Sequence, residues 1–209
     1  MQALVEHSRS QDAGYRVAMV VSDKPEAPGL AIARGLDIAT RALPAQKSVD
    51  RASYDRSLAT AIDEYKPALI VLAGFMRVLS AEFVDRYAGR ILNIHPSLLP
   101  RYPGLHTHRK ALAAQDSVHG ATVHFVTAEL DGGPAIIQAR VAIEPGDDEA
   151  TLAARVQAME HRMYPLAVRW YCEGRLRCHS GRVWLDGEAL SGPVAYDDAA
   201  DPTQPLRRH

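Results

Sequence analysis

Short apolar runs rich in β-branched residues alternate, through the first half of the chain, with segments in which apolar residues recur at helical spacing. Runs of this length predict buried strands, here 15–21, 38–43, 68–73 and the run that begins at Ile91. Helical spacing is clearest in 48–65, and shorter helices are predicted over 1–9, 29–34 and 81–87. Apolar strands separated by helices are typical of α/β folds. The pattern predicts a Rossmann-like, mostly parallel sheet with helices on both faces.

The second half of the chain changes this pattern. After a helix over 106–114, two strands, 121–126 and 135–143, follow one another with a short glycine-containing turn between them, so we expect antiparallel additions to the sheet. A long helix begins near Asp147 and carries one apolar stripe at spacings of three and four. From Gly187 the sequence becomes rich in Asp, Ala, Pro and Gly. We predict one domain over residues 1–186 and a loose tail over 187–209.

The stretch from Ile91 to His108 carries the candidate chemistry. Asn93 and His95 interrupt an apolar strand at alternate positions, and side chains two apart in a strand point to the same face. Pro96 keeps His95 extended, because a residue that precedes proline avoids the helical region. An amide and an imidazole side by side at the end of a buried strand occupy the place where an α/β enzyme carries its active site.

The composition narrows the class of protein. Of the 209 residues, 47% are hydrophobic and 23% are charged, as in ordinary globular proteins. The net charge of −1 gives no general attraction to nucleic acid or to an acidic membrane. The longest apolar run, near 68–76, has the length of a strand and is too short to span a bilayer. With no secretory signal in the sequence, Cys172 and Cys178 are expected to be free thiols of a cytoplasmic protein.

Several histidines in the middle of the chain raise the question of a zinc site. His106 and His108 have no third ligand at a recognisable spacing and no cysteine nearby, so we expect no metal. His124 alternates with apolar neighbours in a strand, which fits either a residue that lines a site or one that is satisfied within the core.

Three blocks of sequence carry a resemblance to a known family. The blocks are LAGFMRVLS at 72–80, NIHPSLLPRYPG at 93–104 and GATVHFVTAELDGGPAIIQ at 120–138. In this order and spacing they resemble the folate-dependent formyltransferases, and the match extends from Met1 to about Asp186. The resemblance implies the formyltransferase fold and transfer of a formyl group to an amine, with 10-formyltetrahydrofolate as the co-substrate and no metal. Within the family it favours the members that formylate glycinamide ribonucleotide in purine biosynthesis.

The resemblance implies three catalytic residues, Asn93, His95 and Asp131. Asn93 would donate its amide N–H to the formyl oxygen. His95 would be either a charged donor to the oxyanion or a proton donor, and the carboxylate of Asp131 would favour its imidazolium form. The amine attacks directly, so no nucleophilic side chain is needed, and Ser97 has no clear dedicated base. From the residues alone, Asn93 also fits a loop cap, and Asp131 before two glycines fits an ordinary turn.

The resemblance also implies the binding residues for both substrates. The folate residues are Arg51, facing the carboxylate tail, and Met76, Arg77, Val78, Leu79, Asn93, Val126, Thr127, Ala128 and Glu129 around the pterin. The ribonucleotide residues are Gly74, Pro96, Gln157 and Glu160. From residue type alone, Arg51 and Arg77 fit solvated surface charges equally well. The expected partners are small molecules, neither nucleic acid nor a membrane, and a homodimer is left open.

Members of the family have a leading strand and a Gly- and Ser-containing phosphate loop just before the position of Met1. We therefore expect the natural protein to be longer, since loss of a central strand would expose the edges of its neighbours. Methionyl-tRNA formyltransferase would add a basic C-terminal domain, and formyltetrahydrofolate deformylase an N-terminal regulatory domain. The alternative to an enzyme is a binding protein that has kept the folate site and lost turnover.

Overall fold

A computed structural model describes residues 1–46 and 48–196 of the chain. The helices and strands, in chain order, are α1 (Gln2–His7), β1 (Met19–Ser22), α2 (Pro28–Gly35), β2 (Ala39–Ala42), α3 (Arg51–Asp63), β3 (Ile70–Leu72), α4 (Ala81–Arg86), β4 (Ile91–His95), α5 (Thr107–Ala113), β5 (Val118–Phe125), β6 (Ala135–Ala142), α6 (Glu149–Cys172), β7 (Leu176–His179), β8 (Arg182–Leu185), β9 (Glu188–Ala189) and β10 (Val194–Ala195). Each predicted helix and strand up to α6 is present, with ends that differ by a few residues.

The strands form three sheets. β1 and β2 pair in parallel, and a five-stranded sheet has the order β10-β6-β5-β4-β3. In the larger sheet β3 and β4 are parallel, whereas β5 runs antiparallel to both β4 and β6. β7, β8 and β9 form an antiparallel sheet of their own. The predicted α/β class, with parallel pairing first and antiparallel strands towards the C-terminus, is confirmed.

Strand β4 separates two hydrophobic cores. Ile91 packs on one face with a cluster built mainly from α3 and α4, and it is 1% exposed. Leu92, the next residue, packs on the other face with α6, β5 and β6 and is fully buried. Polar side chains in such a strand lose hydration, so they persist only where specific partners replace water. Asn93 and His95 are the polar residues of β4.

The long helix α6 covers one face of the larger sheet. Asp148 begins it with a capping box, in which the Thr151 backbone N–H donates to the Asp148 carboxylate at 2.8 Å. The hydroxyl of Tyr164 donates to the carbonyl oxygens of Leu72 at 2.8 Å and Leu92 at 3.0 Å, which ties α6 to β3 and β4. Among residues 1–46 and 48–196, no helix has both the length and the apolar character needed to cross a bilayer.

The two-stranded sheet and the five-stranded sheet share no hydrogen-bond ladder in the described part of the chain. A cavity of about 490 Å³ lies between them and is lined largely by residues 15–23 on the β1 side and 65–75 on the β3 side. Although β1 and β3 are mostly apolar, all of their residues are partly exposed. Both strands therefore present an edge to this cavity.

The C-terminal part of the chain contains the elements that the sequence pattern missed. β7 and β8 form a hairpin whose turn places Ser180 and Gly181 at positive φ, 49° and 71°. β9 and β10 fall within the segment that we predicted as a tail, and β10 adds to the larger sheet in parallel with β6. Residues 197–209 of that segment lie outside the described residues. Cys172 and Cys178 are free thiols.

Candidate active site

Asn93 and His95 lie at the C-terminal end of β4. Leu72 of β3 pairs with Asn93, and His124 of β5 pairs with Asn93 from the other side. His95 is 6% exposed and leads into the loop over residues 96–106. The placement at the carboxyl end of a strand that is parallel to its neighbour agrees with the usual position of active sites in α/β folds.

His124 fixes the amide of Asn93. Its Nδ1 lies 2.9 Å from the carbonyl oxygen of Phe125 and donates a proton to it. The other ring nitrogen, Nε2, is then an acceptor, and it receives a hydrogen bond from Asn93 Nδ2 at 3.2 Å. Burial lowers the pKa of His124, which keeps the ring neutral and preserves this arrangement. An amide nitrogen carries two N–H groups, so one is left for a substrate.

Both ring nitrogens of His95 face acceptors. Nε2 lies 2.9 Å from the carbonyl oxygen of Tyr102, and Nδ1 lies 3.4 Å from the Asp131 carboxylate. A neutral imidazole donates to only one of two acceptors, whereas an imidazolium donates to both. The arrangement therefore suits the charged ring, which is the form that stabilises a developing oxyanion.

Asp131 reaches the cluster from the loop between β5 and β6. Its backbone has a φ of +51°, which non-glycine residues rarely adopt, and its side chain is 8% exposed. Its Oδ2 accepts a hydrogen bond from the Gly104 backbone N–H at 2.8 Å, and its Oδ1 lies 3.8 Å from His124 Nε2. A Cβ at Gly133 would lie 1.8 Å from the Phe125 carbonyl oxygen, so only glycine allows the chain to pass there. The structure thus brings Asp131 to His95, as the resemblance implied.

A buried polar network holds the loop that follows β4. Thr122 donates its hydroxyl to the Ser97 carbonyl at 2.7 Å and accepts from the Leu99 backbone N–H at 3.1 Å. Gln138 of β6 donates to the Leu99 carbonyl at 2.7 Å and to the Thr122 hydroxyl at 3.0 Å. The Ser97 hydroxyl donates to the Arg101 carbonyl at 2.6 Å, which gives Ser97 a structural role. The loop therefore enters the cluster in one fixed conformation.

A second histidine pair lies beside this loop. His119 Nε2 is 3.1 Å from His108 Nδ1, and the His119 ring is 6.3 Å from the Tyr102 ring. Burial lowers the pKa of both histidines, that of His119 to about 4, so the pair is neutral near pH 7. Across the described residues, no group of three or more His, Cys, Asp or Glu side chains is placed to hold a metal ion.

The first group of predicted folate residues lies in the loop after β3, which starts beside Asn93. Met76 and Val78 are 78% and 48% exposed, whereas Leu79 is 7% exposed. The Arg77 guanidinium lies 4.4 Å from the centre of the Tyr54 ring, so this side chain has a folded contact.

The other predicted folate residues lie at the start of α3 and in the segment after β5. Arg51 is the first residue of α3 and is exposed. Val126 is partly buried, and its backbone N–H donates to the Ile91 carbonyl at 3.0 Å. The next three residues, Thr127, Ala128 and Glu129, are exposed. They form a surface strip between β5 and Asp131.

The predicted ribonucleotide residues come from three elements. Gly74 follows β3, has a φ of +69° and lines the cavity between the sheets. Pro96 follows His95 directly, and Gln157 is exposed on α6. Glu160 of α6 is partly buried, and this burial raises its pKa to about 7, with the Met1 amino group opposing the rise. A carboxyl of this kind can hydrogen-bond hydroxyl groups in either protonation state.

Sequence reasoning missed the residues that support the cluster. From the sequence, His124 fits either a site residue or a core residue, and neither Thr122 nor Gln138 is among the predicted site residues. A signal was present, because Thr122 and His124 are polar residues at alternate positions within an apolar strand, the same pattern that identified Asn93 and His95.

Comparison with known proteins identifies the family. The family model for formyl transferases matches residues 1–168. The phosphoribosylglycinamide formyltransferase of Escherichia coli K12 is 52% identical over 201 residues, which cover 96% of this chain and 93% of that protein. The human trifunctional purine biosynthetic protein adenosine-3 is 35% identical over 190 residues, which cover 90% of this chain and 19% of that protein.

A solved structure gives the same result. The phosphoribosylglycinamide formyltransferase of Coxiella burnetii superposes with a TM-score of 0.89 at 45% identity, covering 94% of this chain and 92% of that one. The chain belongs to the formyl transferase family, and its relatives there include the phosphoribosylglycinamide formyltransferases.

Proposed function

We propose that this chain is an enzyme that transfers the formyl group of 10-formyltetrahydrofolate to the amine of 5'-phosphoribosylglycinamide, a step of purine biosynthesis. The observation that carries the proposal is the cluster of Asn93, His95 and Asp131 at the end of β4, with His95 Nδ1 3.4 Å from the Asp131 carboxylate. The cluster lies in a chain 52% identical to a protein named for this activity. The folate is a co-substrate, and the chemistry calls for no metal.

The reaction is an acyl transfer through a tetrahedral intermediate. The amine nitrogen bonds to the formyl carbon, and the carbonyl π electrons move onto oxygen as an oxyanion. When the oxyanion collapses, the bond between the formyl carbon and the folate nitrogen breaks. The amine loses one proton and the folate nitrogen gains one, so protons balance without an added acid or base.

Three side chains perform distinct parts of this reaction in the proposal. The free N–H of Asn93 donates to the formyl oxygen, and its direction is set by His124. The imidazolium of His95 balances the charge of the oxyanion. Asp131 stabilises this imidazolium and is itself held by the Gly104 N–H. Donors that are positioned before reaction contribute most where charge develops, because they need no reorganisation.

The binding residues divide between the two substrates. The exposed apolar side chains of Met76 and Val78 lie on the loop after β3, the strand whose Leu72 pairs with Asn93, and they offer an apolar surface to the pterin. Arg51, at the start of α3, is a cation for the folate carboxylate tail. For the ribonucleotide, Gly74 lines the cavity between the sheets, and Glu160 of α6 is a carboxyl suited to the ribose hydroxyl pair.

A formyl-transfer assay tests this function. The purified chain is incubated with 10-formyltetrahydrofolate and 5'-phosphoribosylglycinamide, and tetrahydrofolate release is followed together with the formylated ribonucleotide. We expect turnover that needs both substrates and that Asn93→Ala lowers by roughly 10²–10³-fold, the cost of losing one oxyanion donor. Folate binding without turnover would refute the proposal in favour of a binding protein. Formyl release to water without the ribonucleotide would point to a hydrolase.

A further inference from the structure

The backbone carbonyl that holds His95 belongs to a residue in an unfavourable conformation. Tyr102 has a φ of +55°, and its carbonyl oxygen lies 2.9 Å from His95 Nε2. A bulky residue at positive φ is strained, and the following Pro103 favours an extended conformation instead. Such a backbone persists only where its surroundings over-determine it. Something must therefore keep the Tyr102 carbonyl directed at the imidazole.

The side chain of Tyr102 supplies the anchor. Its hydroxyl donates to Asp116 Oδ2 at 2.7 Å, and Arg101 Nη2 donates to Asp116 Oδ1 at 2.7 Å. The Arg101 guanidinium also lies 5.2 Å from the Tyr102 ring centre. We call this group, Arg101, Tyr102 and Asp116, the Tyr102 clasp. It joins the loop before α5 to the residues after α5, so both ends of that helix are fixed relative to β5.

The pKa values of Asp116 and Tyr102 are shifted in opposite directions by the hydrogen bond between them. The pKa of Asp116 is lowered, first by the hydrogen bond from Tyr102 and also by Arg101. The pKa of Tyr102 is raised, chiefly because its hydroxyl donates to this carboxylate. The carboxylate is thus ionised and the phenol protonated near pH 7, which is the pairing that holds the loop.

We propose that Asp116 and the side chain of Tyr102 are positioning residues for His95. They keep Tyr102 in its strained backbone conformation, so that its carbonyl accepts the His95 Nε2 proton and His95 Nδ1 faces Asp131. This inference rests on the proposed function. Neither residue needs to touch a substrate, and Asp116 acts on the reaction only through the Tyr102 carbonyl.

The chain contains a matched control. Arg86, Tyr87 and Asp63 repeat the same chemistry: the Tyr87 hydroxyl donates to Asp63 Oδ1 at 2.7 Å, and Arg86 donates to Asp63 Oδ2. The Arg86 guanidinium lies 5.8 Å from the Tyr87 ring centre. This second group joins α3 to the end of α4. Its disruption removes the same kind of hydrogen bond without affecting a backbone carbonyl of the cluster.

The experiment compares Tyr102→Phe and Asp116→Asn with Tyr87→Phe and Asp63→Asn in the 209-residue chain. For the first pair we expect kcat to fall roughly 10- to 100-fold, the loss that follows from small misplacement of a catalytic group. The KM values for both substrates should stay within about twofold, because substrate contacts are kept. All four variants lose a hydrogen bond, so Tm should fall in both pairs. The control pair should nevertheless keep kcat within about twofold of the unmodified chain.

The split between kcat and KM separates positioning from general loosening. With the Tyr102 carbonyl displaced, His95 Nε2 loses its acceptor and the ring is no longer held facing Asp131. In Tyr102→Phe kcat should therefore fall while KM is kept, and in Tyr87→Phe both should be kept. A kcat of Tyr102→Phe within about twofold of the unmodified chain would overturn the inference. Equal losses of kcat in both pairs would also overturn it.

A second measurement does not depend on turnover. In ¹⁵N-labelled protein the His95 ring signals, assigned by their loss in His95→Gln, should shift in Asp116→Asn and not in Asp63→Asn. If Tyr102→Phe fails to fold, Asp116→Asn carries the test. If the unmodified chain transfers no formyl group, the proposed function fails. The ring signals then still decide whether the Tyr102 clasp positions His95, and unchanged signals would refute it.

Discussion

Replacing His124 by phenylalanine tests whether the Asn93 amide is aimed by its neighbour. The change keeps an aromatic ring at a position that is 2% exposed, but it removes the acceptor for Asn93 Nδ2 and the donor to the Phe125 carbonyl. Each buried polar group left without a partner costs about 1–3 kcal/mol. For a chain of this size, Tm falls by roughly 2–4 °C for each kcal/mol.

The catalytic loss from the same change should be larger than its effect on stability. Without His124 the Asn93 amide rotates freely, and its N–H is no longer directed at the formyl oxygen. Removal of one oxyanion donor lowers kcat by roughly 10²–10³-fold. We expect a loss in that range, with little change in the KM of either substrate.

Steady-state kinetics with both substrates, together with thermal unfolding, provide the measurement. Tyr54→Phe is the control, since the Tyr54 hydroxyl donates to the Leu43 carbonyl at 3.0 Å and the side chain is 6% exposed. It should lower Tm while kcat is kept. If His124→Phe retains kcat within about threefold, far less than loss of an oxyanion donor costs, the argument that His124 orients Asn93 is wrong.

Three further predictions follow from the site and its surroundings. His95→Ala and Asp131→Asn should each lower kcat by roughly 10²–10³-fold, as loss of a group that stabilises the oxyanion does, while folate binding in an isothermal titration changes little. Unchanged turnover would remove that residue from the mechanism. Burial lowers the pKa of His119 to about 4, below its value near 6.5 in the unfolded chain, so the unfolded state binds more protons between these values. The contribution of neutral His119 to the free energy of unfolding should be fully present above about pH 6.5 and should be lost as the pH drops towards 4. The Tm of His119→Asn should therefore depend less on pH in this window than the Tm of the unmodified chain. If Tm changes equally with pH in both proteins, the assignment is wrong. Gly133→Ala would place a Cβ 1.8 Å from a backbone carbonyl oxygen, so both Tm and kcat should fall, whereas Gly35→Ala, which meets nothing within 4 Å, should leave kcat unchanged.

Much of the fold was predictable because it depends on periodicity. The apolar strands and the helix over 51–63 follow from spacing alone, since a buried element repeats its apolar residues at a fixed interval. The strands β7 to β10 are two to four residues long, and two of them lie in a segment rich in Gly and Pro. In β7 and β8 the apolar residues are interrupted by Arg177, His179 and Arg182, and β9 and β10 have only two residues each. None of the four therefore shows the continuous apolar run that predicted β1 and β3.

The candidate site was predictable only in part. Asn93 and His95 are close in sequence, and alternation along one strand places them together. Asp131 joins them through a loop and a positive φ that spacing does not encode, so only the family resemblance pointed to it. The role of Tyr102 depends on a backbone carbonyl, and a main-chain atom has no signature in the sequence.

The separation of the two sheets has a consequence for how the molecule opens. β1 and β2 pack against α2, and Met19 and Val21 of β1 also pack against the cluster that includes α3. No ladder hydrogen bonds connect these two strands to β3 in the described chain. A segment that is not hydrogen-bonded to the central sheet can open locally, and this opening costs less free energy than opening the central sheet. Its amide hydrogens therefore exchange sooner. The β1–β2 unit should therefore exchange well before β4, β5 and β6. The cluster of Asn93, His95 and Asp131 belongs to the later group, so its geometry survives while the first unit fluctuates.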